Sequence, residues 1–127
     1  MKIEVFWSEE EGVMLILAHD VVLWNAESVG QFKEAIVPTL RARNQKVPLV
    51  ICMDGMTIRP SAAQLYGAAA KEIVSYATAF ARYGKAGTVQ MVIAAEAMRN
   101  HQHPNIFDTR AAAVGFVRAA AAKNGCR

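Results

Sequence analysis

The run Val47-Pro-Leu-Val-Ile-Cys-Met53, closed by Asp54-Gly55, constrains this chain more than any other stretch. Seven residues with no polar alternation are too few for a helix and offer no wet face. They predict a strand covered on both sides. Such a strand belongs in a sheet layered between helices. Pro60 follows a polar turn, and without an N–H it suits a loop or a first helical turn. Ser61 is then placed to cap the segment behind it. Open α/β sheets meet ligands and partners at the carboxyl ends of their strands, so the Asp54–Ser61 loop is the first candidate for function.

The rest of the chain supports this class. Ile3, Val5 and Trp7 alternate with Glu4, and Val13 to Ala18 is almost wholly apolar. Joined by the polar turn Ser8–Gly12, these predict an antiparallel hairpin whose second strand lies deep in the sheet. His19 to Trp24 reads as a connection. Asn25, with Ser28 three residues on, caps a helix whose Val29, Phe32, Ile36 and Leu40 share a face. Pro38 inside that pattern is expected to kink the helix or end its regular part near Val37.

From Ser61 to Tyr83 the alanine-rich sequence predicts one long helix, with Leu65, Ala69, Ile73, Ala77 and Phe80 as its inward stripe. Thr88 to Ala94 reads as a fourth strand and Glu96 to Pro104 as a polar loop. Asn105 to Asp108 adds a short fifth strand. Thr109 or Asp108 caps a final helix with Ala113, Phe116, Val117 and Ala120 inward. The expected architecture is α/β: a mixed sheet of four or five strands, an N-terminal antiparallel hairpin and three main helices. One domain covers 1–123, and 124–127 is a frayed tail.

Composition narrows the function classes. The 127 residues carry a net charge of +3 without a run of like charges, which argues against nucleic acid as a partner. No apolar run reaches the roughly 18–20 residues of a membrane span. Cys52 and Cys126 stand far apart, one in a strand and one near the end. Two unpaired thiols and a reducing, cytoplasmic setting are the expectation. Met1-Lys-Ile-Glu4 lacks the apolar core of a signal peptide.

The motifs that carry chemistry are sparse. The parallel strands would aim His19, Asp20, Asp54, Thr57, Arg59, Ser61, Glu96, Arg99, His101 and His103 at one rim, although connecting loops are polar in any case. His101 and His103 near Glu96 match no zinc signature and read as a solvated loop. Ser61, Asp54 and a histidine lack the Gly-x-Ser-x-Gly elbow of a hydrolase. No phosphate-binding or dinucleotide glycine motif occurs. Trp7 and Trp24 read as core or edge packing. No cofactor and no metal are expected.

The chain nevertheless resembles the STAS family, the domain of anti-anti-sigma factors and sulfate-transporter tails, and the related STAS/SEC14-like group. The residues that carry the resemblance run from Val13-Met-Leu-Ile-Leu through Asn25-Ala-Glu27 to Pro48-Leu-Val-Ile-Cys-Met-Asp-Gly-Met-Thr-Ile58. A serine-started helix, Val89-Gln-Met-Val-Ile93 and Ile106-Phe-Asp-Thr-Arg-Ala-Ala-Ala-Val-Gly-Phe116 complete it. The family's Asp-Ser-Ser-Gly motif departs here. Ala62 falls on the serine that a partner kinase phosphorylates, Pro60 on the Asp, and Ser61 on the neighbouring serine. The resemblance implies a bacterial, non-catalytic signalling module that binds a protein, self-association included. Docking would use Asp54, Met56, Thr57, Ile58, Arg59 and Ser61 with the following helix, Ser61 being the residue left for phosphorylation. The SEC14-like relatives imply an alternative, a small-molecule or lipid carrier with an apolar pocket between the sheet and the Ser61–Tyr83 helix.

Overall fold

A computed structural model describes residues 1–84, 87–101 and 103–125. The opening hairpin is as expected: β1 (Lys2–Ser8) runs antiparallel to β2 (Val13–His19), with Ile3 opposite Ala18 and Trp7 opposite Met14. A three-residue strand, β3 (Val21–Leu23), leads into α1 (Ala26–Ala42). Then come β4 (Val47–Cys52), β5 (Met56–Ile58), a 3₁₀ turn (Pro60–Ala62) and α2 (Ala63–Val74). The chain closes with β6 (Ala77–Tyr83), α3 (Gly87–Arg99), β7 (Ile106–Phe107) and α4 (Arg110–Gly125).

The main sheet has the order β1-β2-β4-β6-β7, parallel throughout except for β1. Its two faces follow from the two-residue period of its strands. Met14, Ile16, Leu49 and Ile51 point into the larger core beneath α1, α2 and α3. Val13, Leu15, Val50 and Ala81 point the other way, against Ala113 and Val117 of α4. Pro48 cannot donate to the ladder, and the register with β6 slips at that point, Val47 facing Ala77 and Pro48 facing Ala79.

Local chemistry explains the elements read correctly. Asn25 accepts the Ser28 N–H at 2.9 Å and the Ser28 hydroxyl takes the Asn25 N–H at 3.1 Å, a closed capping box. Val29, Phe32, Ile36 and Leu40 are buried as their spacing requires. Thr109 caps α4 by accepting the Ala112 N–H at 3.1 Å. Ala113 and Val117 of α4 are buried, but Phe116 is 40% exposed and Val114 takes an inward place instead.

Several expectations need correction, the first being three main helices where the described residues form four. α1 does not end near Val37 but continues through Pro38 to Ala42. Pro38 and Glu34, whose carbonyl loses its donor, both lie on the exposed face of the helix. The long helix from Ser61 does not exist: α2 ends at Val74, and Ala77–Tyr83 is a central strand. The stretch read as the fourth strand, Thr88 to Ala94, lies inside α3, which extends to Arg99 into the expected loop. Leu65 faces outward, and Tyr66, Ala69, Ala70 and Ile73 form the buried stripe of α2. Cys52 is a free thiol, and Cys126 lies outside the described residues.

Candidate functional site

Two surfaces gather the candidate residues, and both grow from the carboxyl edge of the sheet. The first is built on the small parallel pair β3–β5, a second sheet in segments that read as loops. In this pair Val21, Leu23, Met56 and Ile58 turn inward, and Val22 and Thr57, register partners, turn outward. Met56 and Ile58 are each only 4% exposed, so they support the expected docking loop from beneath and cannot contact a partner. Period-two alternation over three residues puts them there.

Thr57, Arg59 and Ser61 are exposed as expected. Ser61 is no helix cap. It lies in the 3₁₀ turn, and its hydroxyl donates to the Trp24 carbonyl at 2.8 Å, while Ala62 precedes α2 without a side-chain cap. That bond commits the Ser61 hydroxyl proton to the Trp24 carbonyl. The Trp24 N–H donates to the Ser28 hydroxyl at 2.9 Å. Trp24 is therefore held by hydroxyls at both its N–H and its carbonyl, yet its residue is 54% exposed. It is not a core residue. Val22 on β3 and Leu65 on α2 are also exposed, 40% and 42%. The only sequence signal for the Trp24 surface is an aromatic residue directly before a helix cap, which pattern reading assigns to packing.

The second surface is a cleft of about 470 Å³ on the α4 side of the sheet. Leu17 and Ala18 come from β2, Cys52 from β4 and Tyr83 from β6. His19, Asp20, Asp54, Gly55 and Arg110 close its rim. Two glycines shape it. A Cβ on Gly55 would fall 2.0 Å from the Ala18 carbonyl oxygen, and one on Gly84 would fall 2.7 Å from Asp54 Oδ1. His19 meets Glu4 at 2.7 Å. Arg110, which opens α4, forms a two-pronged ion pair with Glu11 of the turn before β2. Arg110 holds the Glu11 carboxyl below its ordinary range, with burial opposing and Ser8 assisting. Burial, reinforced by the Cys52 sulfur beside its hydroxyl and by Asp54, pushes the Tyr83 phenol up to about 12, against the pull of Arg110. Tyr83 is therefore a protonated donor across the physiological range.

The expected rim thus splits. His19, Asp20 and Asp54 go to the cleft, and Thr57, Arg59 and Ser61 go to the Trp24 surface. Glu96 is not a rim residue: it sits in α3, 3% exposed, with Arg99 Nη1 at 3.2 Å. Gly67 of α2 makes room for it, since a Cβ there would meet the Glu96 side chain at 3.2 Å. His101 and His103 remain on the exposed loop, and the His103 ring accepts the Asn105 N–H at 3.1 Å. Among the described residues no group of three His, Cys, Asp or Glu side chains is placed to hold a metal ion. No described helix is long and apolar enough to cross a membrane.

The space that the carrier reading needs, between α2 and the sheet, is filled by Tyr66, Ala69, Ala70 and Ile73, with the Tyr66 ring 6.2 Å from that of Phe32. Compared with known proteins, the chain matches no family model, no curated protein and no solved structure.

Proposed function

We propose that this chain is a non-catalytic protein-interaction module of the STAS type, docking a protein partner through Trp24, Arg59 and the surface around them. The observation that carries the reading is Trp24: a large aromatic residue more than half exposed on a backbone fixed at both ends. Exposing a tryptophan is unfavourable for the free protein, and fixing its backbone beforehand lowers the entropy lost on association. Tryptophan and arginine are the residues that most often dominate interface energetics. Arg59 lies beside Trp24 because its N–H donates to the Leu23 carbonyl at 2.9 Å, extending the β3–β5 ladder. Val22, Thr57 and Leu65 supply the surrounding contact area.

The test is recovery of a protein from extracts of the native host by wild type, Trp24→Ala, Arg59→Ala and Met98→Ala. Met98 is 72% exposed on α3 and serves as the control. A partner retained by wild type and Met98→Ala, and weakened at least about tenfold by Trp24→Ala, is the expected result. Equal recovery by all four proteins would overturn the proposal.

A further inference from the structure

The cleft on the α4 side shares no lining residue with the Trp24 surface, and interaction through that surface leaves its chemistry unexplained. Its position, outside the carboxyl ends of parallel strands, is where open α/β sheets hold small ligands, and its volume falls in the usual range for them. The strand order distributes its groups. Asp20 comes from the end of β2, Cys52 from β4 in the middle, and Tyr83 from β6 on the far side. Arg110 reaches the cleft from the start of α4.

The polar groups are of both signs. Arg110 is oriented by Glu11 through Nε and Nη2, which leaves donors of its guanidinium for another oxygen. The Tyr83 hydroxyl is a second donor beside it, held neutral by burial. On the β2 side Asp20 sits at φ 52, a left-handed turn conformation, and no ion pair to it occurs among the described residues. Between the two ends lie Leu17 and the Cys52 thiol, with Asp54 and Gly55 following at the end of β4.

We propose that this cleft binds a small zwitterion, a free α-amino acid with an apolar side chain. Its carboxylate meets Arg110 and the Tyr83 hydroxyl, its ammonium meets Asp20, and its side chain lies over Leu17 and Cys52. A ligand bearing both charges matches a wall bearing both. A purely anionic ligand would bring no group to Asp20, and a purely cationic one would leave the remaining guanidinium donors of Arg110 and the Tyr83 hydroxyl unused.

The experiment titrates L-leucine, isoamylamine and N-acetyl-L-leucine into the isotope-labelled 127-residue chain, following backbone amides by NMR. Isoamylamine lacks the carboxylate, and the acetyl group removes the ammonium charge. L-Leucine is expected to give saturable shifts confined to 17–20, 52–55 and 83, with each analogue at least about tenfold weaker. Asp20→Asn, chosen because asparagine tolerates a positive φ, should weaken L-leucine to the level of the acetylated analogue. The ligand series uses wild type, so a misfolded variant cannot obscure the result. No saturable shift by about 20 mM, or either analogue within about twofold of L-leucine, would overturn the proposal. Shifts centred on Trp24 and Arg59 would overturn it as well, and would leave the docking surface as the binding site. A host partner lost on Trp24→Ala with no leucine response would overturn this inference alone.

Discussion

Replacing Gly55 with alanine tests how the carboxyl edge is packed. A Cβ built there lies 2.0 Å from the Ala18 carbonyl oxygen, 2.7 Å from its carbon and 3.0 Å from the His19 Cα. All three are backbone atoms, so no side-chain rotation relieves the overlap. Carbon and carbonyl oxygen ordinarily approach no closer than about 3.3 Å. Gly55 is not among the residues with positive φ, so φ does not itself forbid alanine. In open space the change would stabilise the protein by about 0.4–1 kcal/mol through the unfolded chain.

The overlap reverses that sign. Clearing it pulls the Gly55 carbonyl from the Val21 N–H, which it holds at 2.8 Å, and loosens β3 from β5. One buried hydrogen bond left unmade costs about 1–3 kcal/mol. Partial exposure of Val21, Leu23, Met56 and Ile58 adds about 1–2 kcal/mol. The net loss is about 2–4 kcal/mol, a fall in Tm of roughly 6–15 °C for a domain of this size. Gly30→Ala is the control: in the interior of α1 its Cβ meets nothing within 4 Å, and it should raise stability by about 0.5–1 kcal/mol. Thermal and urea unfolding followed by circular dichroism decides. A Gly55→Ala protein melting at or above wild type would refute the packing argument.

Ser28→Ala removes the hydroxyl that serves the Trp24 and Asn25 N–H groups together. It should cost about 1–2 kcal/mol in urea unfolding and weaken partner recovery although Ser28 itself is buried. Phe32→Ala empties a site 2% exposed and should cost about 3–5 kcal/mol by the same measurement. The Glu11–Arg110 pair sets a pH dependence. Because the folded Glu11 pKa is depressed, its contribution is present above the ordinary glutamate value of about 4.3 and is lost as pH falls through the lower folded value. The stability gap between wild type and Arg110→Gln should therefore narrow on acidification below that value in urea midpoints taken from pH 7 to pH 3. A gap that widens would refute the assignment.

What the sequence determined by itself was whatever is decided within a few residues. The Asn25–Ser28 box, the Thr109 cap and the Ile3–Val5–Trp7 alternation are local, and they gave α1, α4 and the hairpin their places. The doubly covered run before Asp54 likewise marked the centre of the sheet. The tertiary structure decided the segments whose local signals pointed the wrong way. Ala77 to Tyr83 is rich in alanine and reads as helix, yet it lies between β4 and β7 with Phe80 packed beneath and Ala81 fully buried against the α4 side. Alanine is needed there because α4 packs close to the strand, and no propensity scale contains that requirement. Thr88-Val-Gln-Met-Val-Ile reads as a strand but forms α3, because β6 already holds the place beside β4. The site followed the same division. Thr57, Arg59 and Ser61 were legible as an exposed loop, whereas Trp24 was assigned to packing and Arg110 to the last helix. Only the close approach of β3 to β5, and of Glu11 to a residue 99 positions away, brought these side chains to the surfaces where they can act.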